Sequence, residues 1–343
     1  MSSASVVVAV MGGGMGPMPG MGGSGGGGGG NPMWMPSAPP TLARLLAWHP
    51  QPIPVFPGMC LLAAVLYGGA VLRLHRRGDR WPIGRTVAFG LGLVCVLLVT
   101  ATGIGGYGME LLSIHMIQHM TLSMLAPIPL LLGAPVTLTL RALRPAGPGR
   151  TGPREVLLAV LHSRYAAVMT SPFVTLPVLI ASLYGLYFTP LFGDLMSTWW
   201  GHGLMLLHFL LVGLLFFFPL LGVDPTPRKP HPVIGILELM GGMPFHAFFG
   251  IAVMMSSGLI TPFFAHPPAS WGVNAMADQS TAGAIAWAFG EIPTLIMLLV
   301  MAARWMRSEQ RVARRTDRAA DRDGNAELNA YNEYLQRLAR LER

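Results

Sequence analysis

Only 11% of the 343 residues are charged and 52% are hydrophobic, with mean hydropathy +0.53; a soluble domain carries about a quarter charged residues, so a polytopic membrane protein is expected. Two cysteines exclude a disulfide scaffold, and Cys60 and Cys95 fall in different predicted spans, where packing rather than redox pairing is their expected role. The net charge of +8 invites a nucleic-acid reading, which its distribution along the chain excludes.

The head, residues 1–40, is rich in Gly, Pro and Met, with Met11, Met15, Met18 and Met21 ahead of a glycine tract and Met33-Trp-Met35. Such composition cannot bury a core and reads as a disordered extracytoplasmic segment. It lacks a basic n-region, and the apolar run 6–10 is too short for a signal peptide. Thioether sulfur suits Cu(I), but low-complexity drift or a misplaced start is the favoured account of these methionines.

Residues 41–49 read as a short interfacial helix with Trp48 at the headgroup level. Seven spans follow, at about 55–74, 86–106, 109–132, 173–192, 200–221, 233–259 and 281–305, each near the ~20 residues that cross a bilayer. With the N-terminus outside, Arg44 alone among 23 Lys and Arg residues falls on the outer side. Arg73, Arg76, Arg77, Arg80 and Arg85 fall inside, as do Arg141, Arg144, Arg150, Arg154 and Arg164, and then Arg228 and Lys229. That is the positive-inside pattern. Trp199, Trp200 and Trp271 mark the outer boundary as belt aromatics. The expected architecture is therefore an all-α membrane domain over 41–306, N-terminus outside, with a cytoplasmic helical tail over 307–343. Asp323-Gly-Asn325 breaks that tail, after which Leu328, Tyr331, Leu335 and Leu338 share one stripe.

The third span carries His115 and His119, four residues apart and stacked on one helix face with Gln118 beside them. Ionisable groups at membrane depth are costly and normally face other helices or a cavity. A lone histidine there is more often helix glue, whereas a pair at ligand spacing favours a metal or cofactor role. The predicted topology brings further histidines to the same outer half. These are His202 and His208 on the fifth span, with Met205 between them, and His246 near the midplane of the sixth. Met109, Met116, Met120, Met240 and Met243 lie at similar depth; His231 starts the sixth span and His266 lies in an outer loop. Glu238 and Glu291 complete the intramembrane polar set, and Glu291 can neighbour the histidines. No Cys-x-x-Cys, Walker loop, nucleophile elbow or transporter repeat occurs, and no enzyme activity is expected. Imidazole with thioether suits copper, and imidazole alone also suits haem iron or zinc. The residues by themselves leave these open.

The stretch His115-Met-Ile-Gln-His-Met120, followed by Leu125-Ala-Pro127 and Leu131-Leu-Gly-Ala-Pro135, resembles the signature of the seven-helix CtaG family of cytochrome c oxidase assembly factors. Trp81-Pro82, His208, Phe218-Pro219, Asp224-Pro225, Ala277-Asp-Gln279, Gly283, Trp287 and Gly290-Glu-Ile-Pro293 extend the likeness. Arg314-Arg315, Asp317-Arg318, Asp321-Arg322 and Ala330-Tyr-Asn332 resemble actinobacterial members. The resemblance implies a bacterial plasma-membrane protein that assists assembly of haem–copper oxidase, at copper delivery or insertion, with oxidase subunits and the lipid bilayer as partners. On that reading His115, His119 and His208 match the family's histidines. His202 and His246 join them by depth, Met116, Met120 and Met205 are candidate soft ligands, and Asp278 and Gln279 stand at the mouth of the site. The alternatives are a haem-binding electron carrier or haem-modifying enzyme with paired histidines, and a metal-free scaffold acting through its tail.

Overall fold

In the computed structural model the described residues are 33–147, 149–227, 232–322 and 326–341, and their regular structure is helical apart from one isolated bridge between Trp48 and Thr102. The methionines of the run 11–21, Arg228, Lys229, His231 and the Asp323-Gly-Asn325 break lie outside the described residues.

The helices are, in chain order, α1 (Leu42–Leu46), α2 (Val55–Arg76), α3 (Ile83–Thr100), α4 (Ile104–Tyr107), α5 (Leu112–Met120), α6 (Pro127–Leu132), α7 (Pro135–Ala142), α8 (Pro153–Leu161), α9 (Arg164–Met169) and α10 (Pro172–Tyr187), then α11 (Leu191–Met196), α12 (Trp199–Leu221), α13 (Pro232–Met255), α14 (Ala275–Arg322) and α15 (Ala326–Leu341). Six stretches are long and apolar enough to cross a bilayer: Val55–Arg76, Ile83–Thr100, Leu112–Ala142, Trp199–Leu221, Val233–Met255 and Ala275–Arg318. The protein is thus a polytopic helical membrane protein. Helices α2 and α3 turn leucines and valines outward, among them Leu61, Val65, Leu66, Val87 and Leu91. In a bilayer that costs nothing, because lipid tails are as apolar as the side chains they meet.

The histidine span is one path but not one straight helix. Pro127 has no N–H for the Ser123 carbonyl, and its ring crowds that carbonyl. The chain responds by widening into a π-turn over Thr121–Leu125, closed by the Ala126 amide donating to Thr121 at 2.8 Å. Below it, Ala134 takes a left-handed φ of 49°, a strained conformation for a residue with a Cβ. Its surroundings enforce it. The Tyr67 hydroxyl donates to the Gly133 carbonyl at 2.8 Å, and the Trp81 indole donates to that hydroxyl at 3.1 Å. The buried Asp224 carboxylate then caps α7, accepting from the Val136 and Thr137 amides at 3.3 and 2.7 Å and from the Thr137 hydroxyl at 2.6 Å.

Two ends of the bundle can be told apart. At one, Arg77 donates to the Arg141 carbonyl; at the other, His115 faces His202. The chain leaves α7 at the arginine end and begins α12 at the histidine end, so 143–198 traverses the bundle. Within this stretch α10 is an apolar helix of 16 residues, shorter than the 173–192 span expected, because the chain turns at Phe188–Pro190 before α11. At the histidine end, residues 33–40 do not behave as part of a structureless head. Trp34 stacks on His49 at 3.7 Å and meets Tyr107 edge-on, and its amide donates to Gln51 at 2.8 Å. The Tyr107 hydroxyl and Arg44 hold the strap by donating to the Ala38 and Pro39 carbonyls, each at 2.8 Å. At the opposite end α14 runs unbroken from the bundle into the charged tail, and on α15 Tyr331, Leu335 and Leu338 are exposed.

Candidate functional site

The site is built on α5, where His115, Gln118, His119 and Met120 are all buried, three of them completely. Asp278 of α14 fixes this helix by accepting from the Ser113 amide at 3.2 Å and from the Ser113 hydroxyl. It caps an N-terminus that would otherwise present unpaired N–H groups. Gln279, next in sequence, latches the loop after α13, accepting from Ile260 at 2.8 Å and donating to the Gly258 carbonyl at 3.0 Å. Both residues therefore brace the frame around the histidines.

Helix α12 supplies the opposing wall. His202, Met205 and Phe209 recur at spacings of three and four and are buried together. His202 faces His115, their ring centroids 5.8 Å apart. His115 is otherwise enclosed by Phe192, Phe264 and Tyr187, at 5.3, 6.0 and 6.2 Å. Among the described residues neither nitrogen of His115 has a hydrogen-bond partner, and neither does Nε2 of His202. The Gly108 backbone also approaches His115, outside bonding geometry. Gln118 donates to the Val99 carbonyl at 2.7 Å, while its unpaired oxygen lies against Gly108.

One turn deeper, the His119 ring is sandwiched between Phe209, at 3.6 Å, and Tyr187, at 5.5 Å, with Nδ1 3.1 Å from the Tyr187 hydroxyl. On the far side Nε2 of His246 sits 3.2 Å from the Met120 sulfur. Gly290 of α14 makes room for that ring: a Cβ there would come within 3.0 Å of its Cγ. Four of the sequence-selected histidines, His115, His119, His202 and His246, are thus buried in one interior series, with Met116, Met120 and Met205 also buried. His208 is not part of it. Six residues after His202 it has turned to the outside of α12, exposed, with Nε2 2.9 Å from the Ser182 hydroxyl of α10. Glu291 is half-buried and bonded by the Trp287 indole one turn earlier, and Glu238 pairs with Thr175 deep toward the arginine end.

The aromatic cage has no local sequence signal beyond the register of Phe209 with His202, seven residues apart on one helix face. Also unforeseen is a cleft of about 280 Å³ at the histidine end, between the start of α2 and the start of α12. Its walls include Ile53, Phe56, Met59, Trp200 and Leu204, and Gln118 and His202 belong to its lining. Among the described residues no three His, Cys, Asp or Glu side chains converge tightly enough to hold an ion by themselves. The donor sets present are pairs, His115 with His202 and His246 with Met120.

Uncharacterized proteins of Mycobacterium bovis and Mycobacterium tuberculosis are each 42% identical over 311 residues, covering 89% of this chain and 46% of theirs. One of Mycobacterium leprae is 42% identical over 286 residues, 82% of this chain and 43% of its own. The chain therefore spans less than half the length of these relatives. No solved structure matches it. Residues 65–308, which include α5, α12, α13 and most of α14, match a family described as cytochrome c oxidase caa3 assembly factor, and the chain belongs to that family.

Proposed function

We propose that the protein assists oxidase assembly by holding copper at the His115–His202 pair and passing it along the interior path. The observation that carries this is the set of three buried imidazole nitrogens without partners. An unsatisfied buried polar atom costs about 1–3 kcal/mol, and such atoms are rare unless something absent from the chain completes them. An ion shared between the rings, about 2 Å from Nε2 of His202 and from one nitrogen of His115, would complete two of the three, and ring centroids 5.8 Å apart leave room for it. Imidazole with thioether is a donor set suited to copper, and the second pair, His246 with Met120, supplies both. Two-donor sites in series suit a cargo that must leave again, whereas a haem would need the space that Phe192, Phe264 and Tyr187 fill. The cleft beside His202 is the way in from the outer surface, with α10 as a seventh crossing and the N-terminus outside, so that the arginine end faces the cytoplasm.

Elemental analysis of the detergent-purified protein after Cu(I) loading tests the reading. Copper near one per chain, lost in a His115→Ala/His202→Ala double variant, is the expected result. Iron at that level would move the site to haem chemistry, and no metal at all would leave a scaffold. A second test avoids the donors altogether. Gly290→Ala places a methyl against the His246 ring and forces it off Met120. Copper should still load at the first pair but transfer to the oxidase more slowly, and an unchanged transfer rate would remove His246 from the path.

A further inference from the structure

A second concave site lies at the arginine end, away from the histidines. It has a volume of about 340 Å³ and is lined by Arg77, Arg141 and Arg154, with Asp79, Thr137 and Leu140 among its other walls. Its position is set by chain geometry. Helix α2 ends at Arg76, α3 begins at Ile83 and α7 ends at Ala142, so the pocket sits where three apolar spans stop. That is the headgroup level of a bilayer whichever way the protein is oriented.

Among the described residues the charge there is not spent internally. Three guanidinium groups meet one pocket carboxylate, Asp79, whose contact with Arg141 is 3.9 Å long and about half exposed, the kind of pair that stabilises little. Arg77 and Arg154 each commit one donor, to the Arg141 and Leu140 carbonyls at 3.5 and 3.3 Å, out of the five that each guanidinium carries. The scaffold holds them in place. Arg141 and Arg85 lie over the buried Trp81 ring, 5.7 and 5.0 Å from its centroid. The carboxylate of Glu155, next to Arg154, is turned to the loop: it accepts from the Ala146 and Gly152 amides at 3.0 and 3.1 Å. These bonds, with Ala146 first, keep its carboxyl below the usual carboxylate range, so Arg154 is presented on an ordered turn.

We propose that this pocket binds the phosphodiester headgroup of an anionic phospholipid. Guanidinium forks match phosphate oxygens, and basic pockets between membrane helices at the headgroup level are suited to such lipids. Leu140, Leu143 and Pro145 give the glycerol side an apolar wall that a free phosphate would not use.

The test titrates dioleoyl-phosphatidylglycerol into the full-length protein in detergent with phosphatidylcholine as background, reading Tm and, by native mass spectrometry, retained lipid. Phosphatidylglycerol should raise Tm and stay bound at one molecule per chain. At about a tenfold to thirtyfold weaker affinity, Arg141→Gln/Arg154→Gln should need correspondingly more lipid for the same rise. Arg144→Gln/Arg150→Gln, which removes equal charge outside the pocket, should respond like the parent. Equal weakening in both double variants overturns the site in favour of a diffuse basic surface, and inorganic phosphate reproducing the Tm rise overturns the lipid assignment. If the first variant fails to fold, Arg77→Gln serves in its place, and a parent protein retaining no phosphatidylglycerol is decisive against the proposal.

Discussion

His115→Phe is expected to leave the thermal stability of the protein unchanged or raise it slightly, while abolishing copper loading and assembly of active oxidase. In most proteins the loss of a fully buried histidine unfolds something, because its nitrogens are bonded. Here both are without partners inside a cage of Phe192, Phe264, Tyr187 and His202. Replacing the ring removes an unsatisfied-group penalty of about 1–3 kcal/mol and adds aromatic contacts worth about 0.5–1.5 kcal/mol. The larger ring brings a packing cost of about 1–3 kcal/mol, so the net change is small, and the smaller His115→Leu guards against a purely steric failure. Losing one donor of a two-donor site should weaken copper binding by more than the 10–100-fold typical of outer-shell changes. The two readouts, Tm in detergent and the copper content of oxidase in complemented membranes, should therefore part company. If His115 only glued helices together, both variants would lower Tm and protein abundance in step with oxidase activity.

The separation of roles among the histidines shows what spacing can and cannot reveal. His115 and His119, four apart, share a face because a helix repeats every 3.6 residues, and their burial on α5 follows that arithmetic. The same arithmetic, applied to His202 and His208, turns the second by about 240° away from the first, and His208 is indeed outside, against Ser182. Depth, together with the family resemblance at His208, groups them in the sequence. The cage partners were harder to see, since Tyr187 meets His119 across 68 residues of sequence, and no local pattern encodes a contact of that range. Breaks in the third span were concealed for a different reason. Pro127 and Pro129 sit inside an apolar run that hydropathy reads as continuous, while the backbone widens into the π-turn and then takes a left-handed conformation at Ala134. Residues 33–40 look like the rest of a Gly/Pro-rich head by composition, but Trp34 finds an aromatic partner in His49, a tertiary contact that composition does not register. The family, by contrast, is legible in the sequence: the motif around His115 and His119 points to it, and residues 65–308 match it.

The largest stability effect is expected at the crossing of α13 and α14. A Cβ on Gly250 would lie 2.8 Å from both the Gly283 carbonyl and the Trp287 amide, and one on Gly283 would lie 2.6 Å from the Gly250 carbonyl. These are backbone atoms on both sides, so no rotamer change relieves them and the helices must move apart. Membrane helices associate through such close packing, with no hydrophobic driving force between them to compensate a lost contact. Gly250→Val should accordingly destabilise the bundle by about 3 kcal/mol or more, and should also shift His246, one turn earlier, relative to Met120. Gly68→Ala on α2 provides the opposite case: it is a helical glycine with nothing within 4 Å of its Cβ position. There the gain in helix propensity is about 0.5–1 kcal/mol, and Tm should rise. Thermal unfolding of the two variants beside the parent checks both signs at once. A Gly250→Val protein as stable as the parent would mean that α13 and α14 do not cross at this point, and the placement of His246 against α5 would fall with it.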